Sequence, residues 1–490
     1  MSTLGGGTSS PTSLALWFAL VGVLLVGTLT ACAPHGQGVS PSPARLDGVS
    51  HCDYRVRALS ASPLVLDVTA TCRGRGVRGL EADQTRIADA VGSVTSEGKV
   101  TTRNGPAFLL SHPQGSATFN YRIDLDRMAA AKPSIDRALR SGASLLAPAW
   151  NFLLYPLPLD VGIDIDLRVE TPPGMEFVSG ITRVGDHFHL QAHEIPVATY
   201  SAFGTLQRRR ITLEGDPAEV ELAVLDGELD VDLETLAAWV KERAQAVGAF
   251  YGGFPSSHTL VVVVPVPKRR DVVFGKLLPE SAPGVALLVG SAADKTALHD
   301  DWVLVHELFH IGVPSFFREG KWFDEGLATY FEPIIRVRAG LFDELGFWRD
   351  FATEMPRALP ALTRDGLEHT RNYTGLYWGG AIYCLLADVA ARSASQGRLG
   401  LEDGVRRVLR AGGRAWEVWP LEKTLRTADS VFENPVLAPL AERYAETPAP
   451  LDLDALLRSL GVERSASGVT LSDSAPLAWV RRAILTPTLR

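Results

Sequence analysis

The sequence has little cysteine and no excess of positive charge. Only four of its 490 residues are cysteine, and acidic residues outnumber basic ones to give a net charge of −8. This balance gives no sign of nucleic-acid binding, which usually needs a basic surface. Internal repeats and long low-complexity tracts are also missing, which argues against a solenoid. What remains is a chain too long for one compact core, so two or three domains are expected.

The first 32 residues lack positive charge at their start, because Met1–Ser13 contains neither Lys nor Arg. Residues 14–27 form an apolar run of signal-peptide length, too short for a confident membrane span. Leu29-Thr30-Ala31-Cys32 then resembles the bacterial lipobox, whose cysteine is diacylated and becomes the mature N-terminus. The sequence thus predicts a signal peptide over 1–32, a lipid anchor on Cys32 and a tether over 33–47; the alternative is an ordinary export signal. By the same resemblance, Ala33 after the cysteine favours the outer membrane, facing the periplasm or the surface.

Export permits disulfides, and two cysteines flank a predicted hairpin. Residues 54–58 can pair with residues 64–70 around a turn, and Cys52 and Cys72 are equidistant from that turn. We therefore predict a Cys52–Cys72 bridge, which would contribute on the order of 3 kcal/mol. Cys384 is left as a buried free thiol.

The body of the chain divides by its hydrophobic patterning. Residues 48–215 read mostly as β, with residues 160–170 as the best alternating strand, typical of an antiparallel sandwich; a helical stretch near 134–146 is the exception. Residues 216–446 are mixed and then helical, with a strand over 258–266 and an edge strand over 285–289. Residues 451–490 form a small C-terminal segment containing one helix.

One five-residue stretch, His306-Glu307-Leu308-Phe309-His310, carries the chemistry. Residues four apart share a helix face, so both imidazoles can bind one metal ion, for which zinc is expected. Glu307 lies between them and can act as a general base toward a water molecule. A short, breaker-rich turn then leads into a second helix that carries Glu325, which should return beside the histidines as the third ligand.

These residues resemble the gluzincin zinc metallopeptidases of the aminopeptidase N and glycyl aminopeptidase type. The match is H-E-x-x-H followed by W-x-x-E-G-x-x-x-Y, although the connection from His310 to Glu325 is shorter than in the aminopeptidase N branch. The resemblance implies one zinc ion per chain, held by His306, His310 and Glu325, with Glu307 as the base. It also implies a tyrosine that donates to the oxyanion, for which Tyr377 is the candidate and Tyr373 the substitute.

Together these features predict a multidomain α+β protein. A β-sandwich-like domain would precede a thermolysin-like zinc-peptidase domain, with a mixed sheet lobe and a helical lobe, and then a helical C-terminal extension. The predicted function is hydrolysis of peptides or proteins by a membrane-anchored enzyme outside the cytoplasm. Aminopeptidase and endopeptidase action both stay open, because Glu280, the only glutamate in the region where such aminopeptidases bind the free amine, looks like a loop residue. The alternatives are a non-catalytic peptide-binding lipoprotein and a zinc hydrolase of non-peptide substrates.

Three more histidines, His187, His189 and His193, superficially resemble a metal cluster. His187 and His189 share a strand face, but no carboxylate pattern completes a site apart from Glu194. We interpret them as isolated strand histidines.

Overall fold

The computed structural model describes residues 49–160, 162–279, 282–316, 319–465 and 468–486. They belong to one compact unit, Leu46–Arg490. The predicted signal peptide, Cys32 and the tether over 33–47 lie outside the described residues, as does Glu280. No helix among the described residues is long and apolar enough to cross a membrane.

The N-terminal half is built almost entirely from strands, with two short helices, α1 (Thr85–Val91) and α2 (Leu125–Ala131). The strands are β1 (Val49–Ala58), β2 (Val65–Glu81), β3 (Val94–Ser96), β4 (Lys99–Val100), β5 (Thr102–Asn104), β6 (Ala107–Asp124), β7 (Leu139–Ser141), β8 (Ser144–Pro148), β9 (Tyr155–Leu157), β10 (Asp164–Glu170), β11 (Glu176–Ser179), β12 (Arg183–Val184), β13 (His187–Gln191) and β14 (Tyr200–Gly204).

Among the described residues, ten of these strands form one sheet. Its order is β12-β13-β10-β1-β2-β6-β3-β4, with β5 beside β6 and β9 beside β2. The hairpin of β1 and β2 places Cys52 opposite Cys72, and the two cysteines form a disulfide. The strand predicted over 160–170 begins only at Asp164, and it pairs with β1 in the parallel direction rather than antiparallel.

A second, four-stranded sheet has the order β11-β14-β8-β7. The helix expected near 134–146 was a wrong prediction, because this stretch contains β7 and most of β8. All five residues of β8 are buried. Leu145 and Ala147 face the core of the ten-stranded sheet, whereas Leu146 faces the opposite way. An apolar run buried on both faces of a strand has no clear period, so the sequence pattern could not separate it from a helix.

A third sheet contains β15 (Leu206–Thr212), β16 (Glu219–Leu225), β17 (His258–Val266), β18 (Val272–Leu278) and β19 (Gly284–Gly290), in the order β15-β16-β17-β19-β18. The strand over 258–266 was therefore predicted correctly. The prediction of an edge strand over 285–289 was wrong, because β19, which contains these residues, is paired on both sides and β18 forms the edge. The proposed domain boundary at 215/216 falls between β15 and β16, which pair with each other.

Helices dominate after the third sheet. They are α3 (Leu233–Tyr251), between β16 and β17, and then α4 (Lys295–Asp300), α5 (Val303–His310), α6 (Lys321–Arg338), α7 (Glu344–Ala358), α8 (Gly380–Ser395), α9 (Leu401–Arg410), α10 (Leu421–Asp429), α11 (Leu437–Tyr444), α12 (Leu453–Ser459) and α13 (Ala478–Leu485). A hairpin of β20 (Val462–Ser465) and β21 (Gly468–Leu471) lies between the last two. Leu457 and Ile484 of this C-terminal segment share one core with α5 and α6.

The three larger sheets and the helices are stacked in layers. One core fills the space between the ten-stranded and four-stranded sheets. A second joins the four-stranded sheet to one face of the third sheet, through residues such as Leu146, Tyr200 and Leu260. The other face of the third sheet packs against the helices, where Val261 and Leu287 meet Leu304 and Leu308. This last core positions α5 beside the sheet.

Candidate metal centre

Helix α5 carries both histidines of the motif and is preceded by a buried aspartate. The two oxygens of Asp301 accept hydrogen bonds from the amides of Val303 (2.9 Å) and Leu304 (3.1 Å). These amides are among the donors that a helix leaves unsatisfied at its N-terminus. Burial raises the pKa of Asp301 to about 6, against the opposing effect of these two hydrogen bonds.

Three side chains converge beyond α5, in the positions that the sequence predicts for metal ligands. The Nε2 atoms of His306 and His310 lie 3.2 Å apart, and they lie 3.4 Å and 3.6 Å from Oε2 of Glu325. Zinc bonds of about 2.0–2.1 Å in a tetrahedron place neighbouring ligand atoms roughly 3.3 Å apart. The side chains are only 4%, 13% and 12% exposed. The donor set and its spacing therefore fit a zinc ion that keeps one position open.

A second carboxylate supports this ligand set. Oδ1 of Asp324 lies 2.8 Å from Nδ1 of His310, so it can fix the imidazole with Nε2 directed at the metal position. Lys321 contacts Oδ2 of Asp324 at 2.6 Å and Oε1 of Glu325 at 3.2 Å. Burial alone would raise the pKa of Glu325, but the Lys321 ammonium and the two histidines hold it well below its usual range. The sequence analysis assigned no role to Lys321 or Asp324. The position of Asp324 one residue before Glu325 was the available signal.

The start of α6 is fixed by a residue distant in sequence. Oε2 of Glu368 accepts hydrogen bonds from the indole nitrogen of Trp322 (2.7 Å) and the amide of Gly320 (3.0 Å). Gly326, one residue after the ligand Glu325, packs directly on the backbone of Gly380 in α8, where a side chain would not fit. The W-x-x-E-G motif thus supplies the ligand Glu325 together with two contacts that hold it in place, the hydrogen bond from Trp322 and the packing of Gly326.

Glu307 faces the edge strand. Its Oε2 accepts a hydrogen bond of 2.7 Å from the amide of Leu277 in β18. The approach is close because residue 275 is glycine: a Cβ there would lie 2.5 Å from Cγ1 of Val303 and 2.9 Å from Cγ of Glu307. Strand β18 therefore orients the Glu307 carboxylate beside the three converging ligands.

Both candidate tyrosines lie next to the metal position. The ring of Tyr377 stacks on the ring of His306, with centroids 5.7 Å apart and planes 8° apart. Tyr373 stacks in turn on Tyr377, with centroids 3.9 Å apart. Burial, together with the nearby carboxylate of Glu325, raises the pKa of both phenols, so both stay protonated hydrogen-bond donors. Tyr377 belongs to a π-helical turn, Gly375–Gly379, a feature frequent at functional sites.

The other sequence-predicted residues lie apart from this centre or outside the described residues. Cys32 is not among the described residues. Cys52 and Cys72 are joined within the ten-stranded sheet. Cys384 is a buried thiol in α8, as predicted.

The overall fold is shared with known zinc metallopeptidases. An aminopeptidase N family protein from Idiomarina loihiensis aligns with a TM-score of 0.65 at 14% identity, over 84% of this chain and 78% of that chain. An M1 zinc metallopeptidase from Deinococcus radiodurans, solved as a variant bound to the substrate Tyr-Ser-Ala, aligns with a TM-score of 0.53 at 16% identity, over 82% and 95% of the two chains.

A further structure, described as a two-domain M1 zinc metallopeptidase variant bound to tryptophan, has a TM-score of 0.53 at 14% identity, over 83% of this chain and 95% of that chain. No protein-family model matches the sequence, and no curated protein matches it. At these identities the likeness establishes the fold, an α+β arrangement of several sheets and many helices similar to the M1 peptidases.

Proposed function

We propose that the protein is a zinc metallopeptidase that hydrolyses peptide bonds outside the cytoplasm and is anchored to the outer membrane through lipid on Cys32. The observation that supports the catalytic part is the convergence of His306, His310 and Glu325, with ligand atoms 3.2–3.6 Å apart. The anchor rests on the lipobox-like sequence alone.

The chain's own groups suit each step of peptide hydrolysis. A bound zinc ion would supply the Lewis acidity that brings the pKa of water near 7. Glu307, held by the amide of Leu277, takes the proton from the attacking water and delivers it to the leaving amine. Tyr377 or Tyr373 donates a hydrogen bond to the carbonyl oxygen as negative charge develops there.

The edge strand gives the substrate a place to bind. Strand β18 is paired only with β19 among the described residues, and an extended peptide can add to such an edge through main-chain hydrogen bonds. Glu307 already accepts from Leu277, so the base stands where a peptide lying along β18 would pass. This geometry favours a peptide over other zinc-hydrolase substrates.

The test of catalysis is Glu307→Gln in the purified mature protein. The variant should keep its fold and its zinc, because Glu307 is outside the ligand set, while turnover of a mixed peptide library falls by ~10²–10⁴. Glu319→Gln, at an exposed residue between α5 and α6, is the matched control and should stay active. A wild type as inert as Glu307→Gln, with both binding peptides equally, would instead favour the peptide-binding alternative.

The same preparations test the metal. Wild type should retain about one zinc ion per chain after dialysis, and His306→Ala, His310→Ala and Glu325→Ala should each lose most of it. Full zinc and full activity in Glu325→Ala would remove Glu325 from the ligand set. Pairs of peptides that differ only in N-terminal acetylation then separate the two modes of cleavage, because an aminopeptidase rejects the acetylated member and an endopeptidase cleaves both.

A further inference from the structure

A cluster of histidines and aspartates stands on the outer face of the ten-stranded sheet. It draws on three neighbouring strands and consists of His51, Asp53, Asp164, Asp166, His187 and His189. In the parallel pair of β1 and β10, Asp53 is opposite Asp166, and in the antiparallel pair of β10 and β13, Asp166 is opposite His189. The residues between them, such as Cys52, Ile165 and Leu190, point to the buried core. Strand register therefore fixes this cluster on one face.

Asp166 lies at the centre of the cluster. Its Oδ2 is 3.7 Å from Nε2 of His51, and its Oδ1 is 3.3 Å from both Nε2 of His187 and Nδ1 of His189. Nε2 of His51 is also 3.4 Å from Oδ1 of Asp53. The 3.4 Å and 3.7 Å separations around Nε2 of His51 are close to the roughly 3.3 Å between neighbouring ligands of a tetrahedral zinc ion. One ligand atom from each of His51, Asp53 and Asp166 lies within 4.8 Å of the others.

The surroundings also suit a cation. Oδ1 of Asp186 lies 3.1 Å from Nδ1 of His187, which orients that imidazole with Nε2 toward Oδ1 of Asp166 and leaves Oδ2 of Asp166 facing His51. Arg73 contacts Oδ2 of Asp53 at 2.7 Å, whereas the other oxygen, Oδ1, faces His51. With neutral imidazoles, the aspartates of the cluster carry negative charge that a divalent cation would offset. Mixed imidazole and carboxylate donors favour zinc over calcium or magnesium.

We propose that the outer face of this sheet holds a second, exchangeable zinc site, with His51, Asp53 and Asp166 as its three protein ligands. Its side chains are 26–36% exposed, against 4–13% at the first centre. The second ion therefore exchanges with solvent more readily and binds more weakly. It would tie β1 and β10 together without taking part in catalysis.

The test is zinc binding by the full mature protein, measured by equilibrium dialysis with metal analysis. After dialysis against zinc-free buffer about one ion should remain, and added zinc should bring the total to two in wild type. His51→Ala and Asp166→Asn should stop at one. His193→Ala, an exposed histidine on the segment after β13, is the matched control and should reach two.

A second measurement guards against misfolding of a variant. Added zinc should raise the melting temperature of wild type and of His193→Ala, because an ion that binds only the folded state stabilises it, but should not raise that of His51→Ala or Asp166→Asn. The proposal is overturned if wild type takes up one ion only, or if Asp166→Asn and His51→Ala still take up two. Peptide turnover of the cluster variants, with the first site filled, should equal that of wild type; this readout separates the second site from the proposed catalytic one.

Discussion

At the scale of single residues, the candidate centre depends on how each ligand is held. The His306 imidazole lies between Trp302 on one side, in edge contact at 5.6 Å, and Tyr377 stacked on the other. His310 is oriented by Asp324 instead. Tyr377 stacks directly on His306 and its hydroxyl hydrogen-bonds to Glu325, Tyr373 stacks on Tyr377, and both keep their protons. The sequence could therefore name Tyr373 and Tyr377, and the structure brings both to the site.

We predict that Tyr377→Phe retains zinc and loses ~10²–10³ in activity, mainly in kcat, because its hydrogen bond forms in the transition state. Steady-state kinetics on one peptide, with zinc content measured in parallel, checks this. Tyr373→Phe is the companion variant, since it removes the neighbouring hydroxyl and keeps the stacked ring. If Tyr373→Phe carries the loss and Tyr377→Phe does not, the oxyanion role belongs to Tyr373.

At the scale of elements, the contact between α5 and β18 matters most. The strand is at the edge of its sheet, yet the residues that face α5 are fixed by the helix. Gly275 allows Val303 and Glu307 to approach, and Leu277 donates to Glu307. The predicted edge strand, 285–289, instead lies one position inward, where parallel pairing with β17 buries it. Since β18 follows β17 in sequence but, among the described residues, pairs only with β19, strand order could not be read from local pattern.

We predict that Gly275→Ala lowers both stability and activity. The added methyl group would overlap Val303 and push Glu307 off its position, which should cost about 1–3 kcal/mol of unfolding free energy. Thermal unfolding and kcat on one peptide measure the two effects. Gly115→Ala is the control, since a Cβ at that exposed strand position has nothing within 4 Å. Wild-type stability and kcat in Gly275→Ala would show that the helix and strand are not packed this closely.

At the scale of the whole molecule, the layers make the β-rich half and the half that carries the candidate metal centre one body. The core between the four-stranded and third sheets contains Tyr200 and Leu260 from the two sides. Lys276 of β18 also forms an ion pair of 2.5 Å with Asp136 of the β-rich half. The two predicted domains thus share buried surface beside the candidate site. The predicted membrane anchoring depends on a different part of the chain, the segment that ends at Cys32.

We predict that Cys32→Ser releases the protein from the membrane into the periplasm or the medium. Several acyl chains on one cysteine give stable anchoring, and the substitution removes their attachment point. Acyl labelling and fractionation of cells that express wild type or the variant provide the measurement. Membrane-bound Cys32→Ser that resists a salt wash, or wild type without acyl label, would contradict the lipid anchor.

Much of the local structure could be predicted because it is encoded within short stretches. The continuous apolar run within residues 258–266 gave β17 its bounds, and Asp232, which accepts a hydrogen bond from the amide of Thr235, caps the start of α3. The equal distance of Cys52 and Cys72 from their turn gave the register of β1 with β2. The prediction over 134–146 was wrong because burial on both faces erases the period that separates strands from helices.

The sequence by itself determined the chemistry that the candidate site can perform. Helical periodicity puts His306 and His310 on one face, and these residue types at that spacing already point to a metal. Tertiary structure decided the features that local sequence pattern does not encode, because those features depend on which distant segments bury each other. It selected β18 as the edge strand that holds Glu307, and it brought Lys321 and Asp324 to the ligands. It also joined His51, Asp53 and Asp166 to His187 through strand pairings between residues far apart in the chain.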